Sequence, residues 1–113
     1  MLKKAFELLD DKKGEDIIAF DISKVSSLAD FILICSGNSD IHIKALCDYV
    51  TETFKKDFGI IPLNIDGYGS SKWVCIDYGQ ILVNIIGEQE RVYYSLENIW
   101  GGCPKYTLED QIG

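Results

Sequence analysis

The chain has 113 residues, which suits one domain and leaves no room for two. Hydrophobic residues at 47% and charged residues at 26% are ordinary globular composition and argue against a disordered chain. Eleven Lys and Arg against 18 Asp and Glu give a net charge of −7, which disfavours a protein that coats nucleic acid or anchors to a membrane through a basic patch.

Leu2, Ala5, Phe6, Leu8 and Leu9 recur at helical spacing and predict an amphipathic helix over residues 2–12, with Gly14 as a left-handed cap. Ile17 to Ile22 is a short β-prone run, followed by a polar connection. Residues 30–35 are nearly all apolar after Asp30, as expected of a strand covered on both faces. Ser36-Gly37-Asn38-Ser39 then switches strand to helix, with Ser39 or Asn38 as N-cap. The longest helix runs from Asp40 to about Phe58 on a stripe of Ile43, Leu46, Val50 and Phe54, and Gly59 stops it. A strand is predicted over Ile60–Ile65, then a flexible turn over residues 66–71. Trp73–Tyr78 and Ile81–Ile86 form a hairpin. A last helix runs from Gly87 to Trp100, with Val92, Leu96 and Ile99 facing inward. Residues 1–104 are therefore the domain, and residues 105–113 a loose tail. Helix, strand, strand, helix, three strands and helix predict a single α/β domain with a mixed five-stranded sheet flanked by helices.

Cys35, Cys47, Cys75 and Cys103 include no C-x-x-C pair, and His42 is the only histidine, so no metal site is expected. No apolar run reaches about 18 residues. Met1-Leu2-Lys3-Lys4 opens a charged amphipathic segment, and the expectation is a cytoplasmic protein with reduced thiols.

The hairpin is the most informative feature. With Tyr78-Gly79 as its loop, Asp77 pairs with Gln80, Cys75 with Leu82, and Trp73 with Asn84. One face then carries Val74, Ile76, Ile81, Val83 and Ile85, which is core. The other carries Trp73, Cys75, Asp77, Gln80, Leu82 and Asn84, a mixture typical of protein interfaces. A helix covering that face, with Trp73 simply buried, is the competing reading, and a one-residue slip in register would swap the faces. No cation stands between Lys72 and Arg91, so this region favours a cationic or neutral partner.

Other chemistry finds less support. The Ser36–Ser39 turn lies where backbone N–H groups can hold a phosphate, which keeps a nucleotide-binding or nucleotidyltransferase-like enzyme as the alternative. Such an enzyme needs paired acids on a following strand, and Asp40 and Asp48 fall on the helix instead. His42 has no third group to complete a Cys–His nucleophile with Cys35. Asp21 and Asp30 lack a His, Lys or metal partner. Tyr93, Tyr94 and Trp100 read as packing residues.

Three separated motifs carry a family resemblance. They are Ser26-Ser27-Leu28-Ala29-Asp30-Phe31 with Ser36-Gly37-Asn38-Ser39 and Lys44-Ala45, then Trp73-Val74-Cys75-Ile76-Asp77-Tyr78-Gly79, then Arg91-x-Tyr93-Tyr94-x-Leu96-Glu97-x-x-Trp100. Together they resemble the ribosomal silencing factors, or Iojap-related family, from residue 2 to about Pro104. The resemblance implies a non-enzymatic translation repressor without cofactor or metal. It implies a nucleotidyltransferase-like fold lacking the catalytic acids. It implies binding to the large ribosomal subunit through ribosomal protein fourteen, a basic intersubunit-face protein, which blocks joining of the small subunit with little direct RNA contact. The family's partner surface falls here on Trp73, Asp77 and Tyr78, to which the hairpin geometry adds Gln80 and Leu82. Family members often carry an acid at the position of Gln80 and a His at that of Asn84, so an ionic contact is reduced here. The apolar sheet face also suits a homodimer off the ribosome.

Overall fold

A computed structural model describes residues 1–69 and 72–112; Ser70 and Ser71 of the predicted turn and Gly113 of the predicted tail lie outside the described residues. The elements are α1 (Leu2–Asp11), β1 (Glu15–Asp21), β2 (Phe31–Gly37), α2 (Asp40–Phe58), β3 (Asn64–Asp66), β4 (Trp73–Asp77), β5 (Ile81–Gly87), α3 (Glu88–Tyr94), α4 (Leu96–Ile99), β6 (Lys105–Thr107) and α5 (Leu108–Ile112). They build one six-stranded mixed sheet in the order β3-β4-β5-β2-β1-β6. Only β2 and β5 run parallel, because the crossover through α2 returns the chain in the same direction. The other neighbours are antiparallel.

The apolar runs dictate this layering. Phe6 and Leu9 of α1 and Leu46, Val50 and Phe54 of α2 pack on Leu33, Ile76, Val83 and Ile85 of the sheet. Side chains alternate along a strand, so Ile34 and Ile86 point the other way. They join Ile18, Phe20, Ile22 and Leu96 in a smaller cluster on the opposite face. Helix α2 starts and stops as its sequence dictates. The Ser39 hydroxyl accepts from the His42 N–H at 3.0 Å, and Gly59 takes φ +67 beyond the last turn.

Four expectations change. Residues 105–112 are not a loose tail. They supply the sixth strand, β6, which pairs with β1, and helix α5, which packs on α1. This strand is only three residues long, too short for strand alternation to mark it in sequence. The last predicted helix is two helices, broken at Ser95, whose φ is +50. The break resets the helical phase, so Val92 and Ile99 are 73% and 61% exposed, and Arg91, at 7%, takes the inward place. The strand predicted over 60–65 shrinks to β3, since Pro62 has no N–H to give a ladder and Ile61 and Leu63 face solvent. After α1 the left-handed residue is Lys13, with φ +63, and not Gly14. Gly14 serves close approach instead: a Cβ there would collide with Cys35 Sγ and the Leu9 carbonyl.

Candidate functional site

The hairpin loop is Gly79-Gln80, one residue later than the spacing predicts. Tyr78 N–H bonds the Ile81 carbonyl at 3.0 Å, and Gly79 takes φ +83 at the first loop position. Pairing shifts by two residues: Asp77 faces Leu82, Cys75 faces Asn84, and Trp73 faces Ile86. A shift of two keeps every strand side chain on its predicted face, and moves Gln80 from the strand into the loop. Trp73, Cys75, Asp77, Leu82 and Asn84 thus share one face of β4 and β5, and the edge strand β3 adds Asn64 and Asp66. Trp73, Cys75, Asp77 and Leu82 are half-buried, while Asn84 is buried. α3 and α4 reach over only part of this face.

Each group on the face has a defined support. Trp73 donates its Nε1–H to Asn84 Oδ1 at 2.9 Å, and its ring lies 5.2 Å from that of Tyr94 on α3. Asp77 turns a carboxylate oxygen back to accept from Gly79 N–H at 2.8 Å, which pins the loop and leaves its second oxygen outside that bond. The Cys75 thiol is pushed up to about 11 by burial, then by the charges of Asp77 and Asp66, so it is no nucleophile at neutral pH.

The five residues read from sequence separate into three locations. Trp73, Asp77 and Leu82 come together on the open face. Tyr78 points to the other side of the sheet, where its ring meets Phe54 of α2 at 5.2 Å. Its hydroxyl is buried without a hydrogen-bond partner, and burial raises its pKa to about 12. Gln80 sits exposed in the loop, and its carbonyl accepts from the N–H groups of Asp30 and Phe31 at 2.9 and 3.0 Å. The sequence pairing sets Asn84 beside Trp73 without showing its hydrogen bond, and Tyr94 is the support of Trp73 that sequence reasoning missed. Asn84 lies diagonally across the pair and not directly opposite, and Tyr94 reads in sequence as a packing residue, although Tyr93 and Tyr94 are 76% and 53% exposed.

The Ser36–Ser39 turn is spent on structure. Asn38 N–H donates to His42 Nδ1 at 3.0 Å, and His42 Nε2–H donates to the Lys12 carbonyl at 2.8 Å. His42 therefore staples the turn to the end of α1. The adjoining cleft of about 320 Å³ is lined by Lys72 but also by Asp40, Glu88 and Glu90, a poor setting for a polyphosphate. Behind it, buried Arg91 donates to Ser36 Oγ at 2.9 Å and to Glu97 Oε1 at 2.8 Å, locking α3 and α4 to the end of β2. Among the described residues no cluster of three or more His, Cys, Asp or Glu is placed to hold a metal ion. Asp21 accepts from the hydroxyl and N–H of Ser23 and is held below the usual carboxylate range by those bonds.

A family model described as ribosomal silencing factor during starvation matches residues 1–112. The chain belongs to this family. It is 37% identical over 112 residues to ribosomal silencing factor RsfS of Halalkalibacterium halodurans, covering 99% of this chain and 95% of that one. It is 37% identical over 109 residues to the Bacillus subtilis protein of the same name, covering 96% and 92%. A crystal structure of a Chromobacterium violaceum protein superposes with a TM-score of 0.84 at 36% identity, over 88% of this chain and 82% of that one. This silencing factor thus shares both sequence and fold with its relatives over nearly its whole length. Among the described residues no helix is long and apolar enough to cross a membrane.

Proposed function

We propose that this silencing factor binds the large ribosomal subunit in the cytoplasm through ribosomal protein fourteen and blocks the small subunit by occupying its place. Repression of translation follows from steric exclusion, which needs volume at the right position and no active site. The observation that carries this reading is the open face of β4 and β5. It presents Trp73 and Leu82 as apolar anchors with Asp77 beside them, and Trp73 is held in one orientation by Asn84 and Tyr94. Tyr78 supports that face from behind, and Gln80 lies at its rim.

Charge supports a basic partner. Between Trp73 and Pro104 the sole cation is Arg91, which is buried and paired with Glu97, whereas Glu88 is exposed and Asp77 and Glu90 partly so. The same charge disfavours extensive direct contact with RNA. The test is co-sedimentation of the purified protein with large subunits, using wild type and Trp73→Ala. Wild type is expected in the subunit fraction. The variant should be lost from it by more than tenfold in affinity, as for a central anchor, while its thermal unfolding stays near normal. Equal binding of both proteins would remove Trp73 from the interface.

A further inference from the structure

The open face does not end at the sheet. Tyr94 packs on Trp73 at 5.2 Å between centroids, and Tyr93 meets Tyr94 edge-on at 4.9 Å with planes 89° apart. Three aromatic rings therefore run as a ladder from β4 onto α3. Tyr93 and Tyr94, left this exposed on a small domain, contribute little to its core. Glu90 stands four residues before Tyr94, on the same face of α3, and its carboxylate occupies the space a Cβ on Gly87 would take, in the cleft that Lys72 also lines. Among the described residues Glu90 makes no ion pair, and the helix's own cation, Arg91, is turned inward to Ser36 and Glu97. Exposed ring faces one helical turn from a carboxylate that makes no ion pair suit a planar cation. A guanidinium stacks on the ring while its N–H groups face the acid, which a lysine ammonium does less well.

Resting on the docking reading above, we infer that Tyr93, Tyr94 and Glu90 form a second contact on the same surface, which takes an arginine side chain of the basic partner protein. The sheet face supplies apolar anchoring, and the ladder supplies selection for a guanidinium. The docking surface then continues from β4 across α3.

The test measures affinity for purified large subunits over a salt series, with wild type, Tyr94→Phe, Tyr94→Leu, Glu90→Gln and Trp73→Ala. Tyr94→Phe keeps the ring and should bind as wild type. Tyr94→Leu keeps apolar bulk without a π face and should bind about tenfold more weakly. Glu90→Gln should bind severalfold more weakly at low salt and show a flatter salt dependence. Near-ultraviolet circular dichroism and the urea midpoint establish that each variant keeps the fold. Wild-type affinity and salt slope in Tyr94→Leu and Glu90→Gln, with Trp73→Ala still impaired, would overturn the arginine contact and leave the docking face standing. Unimpaired binding by Trp73→Ala would overturn the docking face itself.

Discussion

Among the described residues Trp73 is fixed by neighbours of different kinds, a buried amide that orients its N–H and a tyrosine ring that limits its tilt. Preorganisation of this sort reduces the entropy lost when a partner immobilises the side chain. Asn84 should therefore matter although it is buried. Asn84→Ala is expected to cost about 1–3 kcal/mol of stability and to weaken subunit binding, read by urea unfolding and co-sedimentation, whereas Asn84→Asp should keep the acceptor and most of the binding. Tyr78 provides the opposite case. Its hydroxyl is buried without a partner, so Tyr78→Phe should stabilise the fold by about 1 kcal/mol and shift the urea midpoint upward, leaving binding unchanged. Gly14→Ala should destabilise by about 1–3 kcal/mol, because the new Cβ drives into Cys35 and the Leu9 carbonyl.

At the scale of elements, long periodic segments were legible and short ones were not. The Ile43, Leu46, Val50 and Phe54 stripe, with Ser39 or Asn38 before it and Gly59 after it, located α2 at Asp40 to about Phe58, and the structure settles the cap on Ser39. The apolar run after Asp30 placed β2 at the centre of the sheet. The hairpin faces came out correctly even though its loop lies one residue later, because strand alternation has a period of two and the pairing moved by two. The break at Ser95 left no such signal: a serine in the left-handed region is allowed only by surrounding structure. Ser95→Gly should relieve that cost and stabilise by up to about 1 kcal/mol. The strand β6 was missed for the same reason of length, yet it covers the edge of β1, with the Pro104 carbonyl accepting from Asp21 N–H at 2.9 Å. A chain stopped after Pro104 should unfold at lower urea and, with the β1 edge bared, self-associate in a sedimentation-velocity run.

For the molecule as a whole, acidity and burial act on different properties. Burial, the largest cause in each case, pushes Cys35 up to about 12, Cys47 to about 11, Cys75 to about 11 and Tyr78 to about 12, against ordinary values of 9.0 for the thiols and 10.0 for tyrosine. The unfolded chain thus releases these protons at lower pH than the folded one. Stability should be full below about pH 9 and fall as pH climbs toward 12, measured as a declining urea midpoint. Acidity governs partner choice instead. A net charge of −7 alone only disfavoured nucleic acid. With Arg91 turned inward to Ser36 and Glu97, the described surface from β4 to α3 carries acids and aromatic rings, and its one exposed cation is Lys72, at its margin just before β4.

Subunit joining tests this account most directly. Large subunits are incubated with the protein, small subunits are added, and light scattering follows formation of whole ribosomes. Wild type should slow and reduce joining in proportion to its occupancy of the large subunit, and folded Trp73→Ala should leave joining at the rate seen without protein. Unimpeded joining at saturating wild-type protein, or full inhibition by the Trp73 variant, would contradict it.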